Sequence, residues 1–381
     1  MKADLTHVYD RLMANCREAG YAGYDPFDGL ESRIFQATPM RKFRASRLAW
    51  QQIVKRSPIN LRPLLMVPTG VNPKGLALFA LAAIARGRAG DIKSTHAADD
   101  LERMLLELKI ESANCIAFGY NFDWQSRAFF APKGMPTIVP TAFGARAIYE
   151  LGGPSSNELL ARLARFVTTQ LNRPIDTPEE VCFSYTPTDH TKIYNASLLA
   201  AEVLAYANGS ENSRLAAKAV RFVLSGQRSD GSWLYGPGEI HGWVDNFHTA
   251  FVLDSLRRIT AVGVKDPDVQ RAIESGFEYW ISNFFLEDGA PKYFGQQTYP
   301  IDIHSAAAAI VTLSGFAKSD ERALPLARKI AEWTIANLIG SDGNTYYQKR
   351  RFFTIRTPFI RWGNAWTAYA IASLIEAEKD K

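Results

Sequence analysis

Runs that are apolar on every side alternate along this chain with runs whose apolar residues keep to one helical face. The first kind occupies 72–80, 141–148, 194–201, 248–256, 304–310 and 366–370. Positions 306–310 have no polar side at all, the pattern of a helix buried all round. The second kind falls between them, at about 45–57, 97–109, 156–171, 212–226, 266–284 and 320–338. Residues 99–108 show the one-sided stripe of an outer helix. Ahead of these, residues 3–18 read as an amphipathic helix, with Leu5, Val8, Tyr9 and Leu12 at helical spacing.

Anchored on Asn72, Phe143, Asn195, His248, His304 and Trp366, the apolar runs recur at intervals of about 71, 52, 53, 56 and 62 residues. Repeats of that size are supersecondary units. Six outer–inner pairs predict an all-α double ring, an (α/α)6 toroid, with small residues letting the inner helices crowd around its axis. The ring is expected to span 45–381, with residues 1–44 as a helix and loop packed on it. No low-complexity linker divides the chain. Strand alternation is confined to the turns, where short hairpins are open around Tyr346-Tyr347-Gln348 and Phe352-Phe353-Thr354.

In such a ring the turns before the inner helices converge at one end, where helix N-termini present free backbone donors and partial positive charge. Those turns therefore nominate the site. The second offers Asp123, Trp124 and Arg127, and the third Tyr185, Asp189, His190, Tyr194 and Asn195. The fourth is the densest, with His241, Trp243, Asp245, Asn246 and His248. Tyr293, Tyr299, Asp302 and His304 follow in the fifth, and Tyr347, Arg356, Arg361 and Trp366 in the sixth. Four of the six histidines lie in these turns. Each alone reads as a cap or a satisfied core histidine, whereas their recurrence on equivalent turns reads as a site. Asp245 and Asp302 read as helix caps, or as acids orienting His248 and His304 as bases. The turn Asp25-Pro26-Phe27-Asp28-Gly29 reads as a turn former, or as a lip of the cavity.

Composition narrows the partners. The 381 residues carry 44 Lys and Arg against 39 Asp and Glu, a net charge of +5. The cluster Lys349-Arg350-Arg351 with Arg356 and Arg361 is either a solvated loop or a clamp for an anionic ligand. No nucleic-acid motif accompanies it. Three widely spaced cysteines, Cys16, Cys115 and Cys182, suit neither a disulfide framework nor a zinc site. The N-terminus lacks a signal-peptide pattern, and no run reaches the ~20 apolar residues of a membrane span. A cytoplasmic protein without membrane insertion, metal or cofactor is expected.

The segment from Arg221 to Trp233, with Gln227-Arg228-Ser229-Asp230-Gly231-Ser232-Trp233 at its end, resembles the QW repeat of terpenoid cyclases and protein prenyltransferases, with fainter echoes at 286–290 and 339–344. In those toroids the Gln and Trp tie one outer helix to the next. The cyclases' acid cluster and the prenyltransferases' zinc ligands are not found here. The six helical hairpins also resemble the six-hairpin glycosidase-like superfamily, and Arg361-Trp362-Gly363-Asn364-Ala365-Trp366 is similar to the end of D-glucuronyl C5-epimerases. The turn Trp243-Val244-Asp245-Asn246-Phe247-His248-Thr249 resembles proteins associated with bacterial surface-polysaccharide synthesis.

These resemblances imply an enzyme binding an acidic, uronate-type saccharide, with aromatic turns stacked on sugar faces. In an epimerase or lyase, His248 or His304 abstracts the proton next to the carboxylate and Tyr299 relays one. Arg361 and Asn246 neutralise the carboxylate. A glycoside hydrolase would draw two carboxylates from Asp123, Asp189, Asp245 and Asp302. A non-catalytic saccharide-binding scaffold is the third reading. A cyclase-like protein, the fourth, predicts a dry aromatic cavity. The oligomeric state is not legible.

Overall fold

The computed structural model describes residues 4–112 and 114–380. Among these, fourteen helices run α1 Leu5–Glu18, α2 Arg33–Gln36, α3 Arg44–Arg56, α4 Pro73–Arg88, α5 Ile92–Glu107, α6 Ile138–Leu151 and α7 Ser156–Gln170. They continue as α8 Tyr194–Ala207, α9 Ser210–Ser225, α10 Asn246–Ala261, α11 Val269–Phe284, α12 Ile303–Gly315, α13 Ala323–Leu338 and α14 Trp366–Lys379. Position 3, where the sequence reading starts the first helix, lies outside the described residues.

The even-numbered helices from α4 onward form the inner ring. Each packs on the next, and α14 closes the circle on α4. Their composition explains the burial: every residue of α12 from Ile303 to Leu313 is buried, and five of these are alanine or serine, which admit close approach. Outer helices show one buried stripe, such as Leu160, Leu163, Ala164 and Val167 on α7. The chain is an (α/α)6 toroid.

One outer position is filled differently from expectation. The helix at 45–57 was expected to pair with the first inner helix. Instead α1 packs on α14, burying Leu5, Tyr9, Leu12, Met13 and Cys16. Helix α3 buries only Gln51 and Val54, too narrow an apolar face for a place in the ring, and lies over the open end.

The QW-like segment shows how the outer ring is stitched. Gln227 donates to the carbonyl of Ala272 on α11, and the Trp233 indole N–H donates to the carbonyl of Val223 on α9. Gly231, at φ +88°, lies so close to the Ser275 carbonyl that a Cβ there would sit 2.4 Å from it. The two echoes do the same at the next joints. Gly289 abuts Lys329 on α13, and Gly343, at φ +84°, abuts Arg11 and Asn15 on α1. Arg11 and Asn15 donate to the carbonyls of Gly340 and Asp342. The last joint thus lands on α1.

Connections from inner to outer helices are short, and those from outer to inner are long. The long ones carry the small sheets, including a three-stranded one in which Gln348–Lys349 lies between Ile301–Asp302 and Thr354–Ile355. All the long connections therefore gather at the N-terminal ends of the inner helices. At the opposite end a buried ion network binds the ring. Arg146 on α6 grips Glu202 on α8 through two bonds of 2.6 and 2.7 Å and reaches Asp254 on α10 at 3.1 Å.

Candidate active site

A cavity of about 570 Å³ opens at the end where the long connections meet. Its wall is aromatic, with Trp124, Tyr185, Tyr235, Trp243, Phe247 and Trp362 prominent. The basic side chains lining it are Lys55, Arg56, Lys74, Arg127, Arg350 and Arg361, and among the described residues no Asp or Glu lines it. That one-sided inventory decides much of the chemistry.

His248 stands in the first turn of α10 because Asp245 caps the helix. One Asp245 oxygen accepts the backbone N–H of His248 at 3.0 Å. The other meets His248 Nδ1 at 2.7 Å and accepts the Trp243 indole N–H at 2.9 Å. With Nδ1–H donating to the carboxylate, Nε2 carries the lone pair. A proton taken there leaves an imidazolium facing its own counter-ion. Tyr235 packs 4.4 Å from the ring and stacks on Trp243 at 4.6 Å.

His304 sits in the same register on α12, but its support is different. Asp302 accepts the His304 backbone N–H at 2.8 Å, and its carboxylate does not reach the ring. It accepts instead from the Trp362 indole at 3.0 Å and from the Gln348 amide. The indole so held stacks on His304 at 4.0 Å and 18°. His304 Nδ1 lies 3.4 Å from the Trp362 carbonyl. Burial first, with Lys74 and Arg361 adding, holds His304 well below the usual histidine range, so the ring is neutral. The expected pairing of Asp302 with the imidazole is therefore corrected: Asp302 positions the plate against which the imidazole lies. Phe247 touches both histidines, at 3.9 and 4.9 Å, so both sit on one patch of cavity wall.

Arg361 lies on a π-helical turn, Ile360–Ala365, that leads into α14. Its Nε and Nη2 bond the two oxygens of Asp25 at 2.7 and 2.9 Å. Phe27 follows at the cavity lip, and Asp28 pairs with the buried Arg62 at 2.6 Å. The two acids of that turn thus hold arginines. The floor carries Lys74, whose ammonium lies 4.3, 5.4 and 5.2 Å from the rings of Phe143, Phe251 and Trp366, with no carboxylate in ion-pair range among the described residues. Burial, then Arg361, puts Lys74 well below the usual amine range. Above it, Lys55 of α3 stands 3.9 Å over Phe27, and burial pulls it down to about 8.

Of the nominated residues, Trp124, Arg127, Tyr185, Asn195, His241, Trp243, His248, Tyr293, His304, Tyr347 and Arg361 line the cavity. The others do not. Asp123 accepts the Lys133 backbone N–H. Asp189 knots its own turn through Thr186 and Thr191, which leaves His190 exposed outside. Tyr194 packs on Phe222 of the outer helix, under Gly226. Asn246 is spent structurally, donating to the Lys292 carbonyl and accepting from Trp280, so it cannot hold a substrate carboxylate. Tyr299 does not line the cavity, whereas its neighbour Pro300 does. Arg356 is exposed over Tyr346, and Trp366 lies beneath the floor, stacked on Phe251. Lys55, Lys74, Tyr235 and Trp362 were missed. For Lys74 the signal was present: it stands two residues after the cap Asn72, as His304 stands two after the cap Asp302.

No protein-family model and no curated protein matches the sequence. Solved structures do match its shape. A cellobiose 2-epimerase from Bacillus thermoamylovorans aligns at TM-score 0.60 and 14% identity, over 80% of this chain and 88% of its own. A GH76 α-mannanase from Bacteroides thetaiotaomicron aligns at 0.63 and 11%, over 93% and 99%. A D-mannose isomerase aligns at 0.59 and 11%, over 81% and 88%. The fold is theirs. At such identities the likeness speaks for the toroid, and one toroid carries several chemistries. Among the described residues no cluster of three His, Cys, Asp or Glu side chains is placed to hold a metal ion. No helix is long and apolar enough to cross a membrane.

Proposed function

We propose that this chain is a carbohydrate-active enzyme that moves a proton on an acidic, uronate-type saccharide, with epimerisation as the reaction its geometry suits best. The observation that carries this is the cavity wall: two imidazoles flank Phe247 in a pocket lined, among the described residues, by six basic side chains and no carboxylate. A glycosidase needs two carboxylates at the scissile bond. Asp123, Asp189, Asp245 and Asp302 are all engaged in capping, turn or positioning bonds instead.

In this reading His248 Nε2 takes the proton from the carbon next to the sugar's carboxylate. The C–H electron pair moves into the carboxylate, whose added charge falls on Arg361 and the floor amine of Lys74. A solvent water on the opposite, His304 side of the sugar returns a proton to that carbon and inverts the centre, and the hydroxide it leaves takes the proton held by His248. Trp124, Trp243 and Tyr235 supply faces for the sugar's C–H groups. Two of the fold neighbours are a cellobiose 2-epimerase and a D-mannose isomerase, which accords with proton transfer. A role in bacterial surface-polysaccharide metabolism remains part of the proposal, on the turn resemblance.

The test is solvent exchange. Incubating the protein in D2O with uronate oligosaccharides, and separately with neutral reducing sugars, should place deuterium at the carbon next to the carboxylate only with the uronates. His248→Gln should abolish the exchange. Tight uronate binding without deuterium uptake would favour a binding scaffold, and release of new reducing ends would favour hydrolysis.

A further inference from the structure

Between Ser32 and Gly90 the chain has no acidic residue at all, while positions 33–62 carry eight Lys or Arg. This stretch also breaks the usual rule for apolar side chains. Ile34, Met40, Phe43, Ile53, Ile59, Leu64 and Met66 are all 41–74% exposed, seven of the thirteen large exposed apolar residues of the described chain. Of its basic residues, Arg62 is paired, with Asp28. Among the described residues, Arg33, Arg41, Lys42, Arg44 and Arg47 have no carboxylate in ion-pair range.

A second element repeats the chemistry. The hairpin between Gln348–Lys349 and Thr354–Ile355 carries Arg350-Arg351-Phe352-Phe353 at its tip, with Phe352 85% exposed and the Arg351 guanidinium 5.2 Å from its ring. The two elements lie on one face, because Arg56 of α3 and Arg350 of the hairpin both line the same cavity mouth. The rim of the toroid's open end therefore combines unpaired cations with protruding aromatic and aliphatic side chains.

We propose that this rim is a membrane-docking surface that seats the open end of the ring on an anionic lipid bilayer. Phe43 and Phe352 enter the interfacial layer, and the arginines meet lipid phosphates. A soluble polyanion would be recognised by charge alone and would leave the exposed Phe, Leu and Ile without a role. A second copy of the chain would set like charges face to face. The inference stands apart from the proton-transfer reading, since vesicle binding and turnover are separate measurements.

The test is co-sedimentation of the full chain with phosphatidylcholine vesicles, with and without phosphatidylglycerol. Binding should rise about tenfold with the anionic lipid and fall in high salt. Phe43→Ser with Phe352→Ser, and separately Arg41→Glu with Lys42→Glu, should each cut it about tenfold at unchanged melting temperature. No preference for anionic vesicles overturns the proposal. So does binding to duplex DNA that exceeds vesicle binding and ignores the Phe substitutions, or a dimer that forms through this face.

Discussion

Arg361 and Asp25 form a two-point ion pair across 336 positions of sequence, with side chains 3% and 5% exposed. The pair ties the N-terminal loop to the π-helical turn before α14 and fixes the guanidinium beside the cavity. Removing the acid strands a buried charge. Asp25→Ala should cost about 3–5 kcal/mol in denaturant unfolding, with Asp25→Ala/Arg361→Met recovering much of it. Equal losses in both variants would show that the pair contributes little.

Asp245 both caps α10 and holds the His248 ring, and one substitution separates the roles. Asn caps helices as well as Asp does. Asp245→Asn should therefore keep the melting temperature within a degree or two, while proton exchange falls about a hundred- to ten-thousandfold. His248→Gln should lose the same activity. A large drop in melting temperature instead would make Asp245 structural alone.

Lys55 sets a pH dependence for anion binding. Its amine is pulled down to about 8 by burial, with Asp302 and Asp25 opposing. Below that pH it is charged and attracts an anion; above it the charge is lost. Uronate affinity measured by calorimetry should be greatest below pH 8, decline as pH rises through it, and take up protons on binding near pH 8. In Lys55→Met the decline should flatten. For stability the sign is opposite: between about 8 and the unfolded lysine value near 10.5 the unfolded chain binds the extra proton, so this group adds stability as pH rises.

The stitch between α9 and α11 is testable without any substrate. A Cβ at Gly276 would lie 2.4 Å from the Trp233 ring and 3.2 Å from Leu253. Gly276→Ala should destabilise by about 1–3 kcal/mol through overpacking. In a Trp233→Phe background, which already lacks the indole bond to Val223, Gly276→Ala should cost less, because the ring that clashes is smaller.

Helix placement was legible because it is a local property. Periodicity, alanine content and cap residues act within a few positions, and the predicted inner-helix starts at Asn72, Asn195, His248, His304 and Trp366 fall within two residues of the observed ones. The QW resemblance was legible for the same reason: Gln227 through Trp233 is one turn. The site was legible only as a neighbourhood. Turn position nominated His248 and Asp245 as a pair three apart, which a single helical turn enforces. It misjudged Asn246, whose partners Lys292 and Trp280 lie 46 and 34 positions away, and Asp189, whose own threonine turn takes both its oxygens.

By itself, then, the sequence determined six inner helices, five of their outer partners, their order and the end of the ring at which polar groups gather, since each follows from short-range periodicity and capping. Tertiary structure alone decided which helix completed the ring. An amphipathic stripe suits either α1 or α3, and only packing on α14 and the Gly343 contact selects α1. It likewise decided that Asp302 serves Trp362 and that Asp25 meets Arg361. These pairings join residues 60 and 336 positions apart. Closure of the ring brings them together, and burial then makes each partner indispensable to the other.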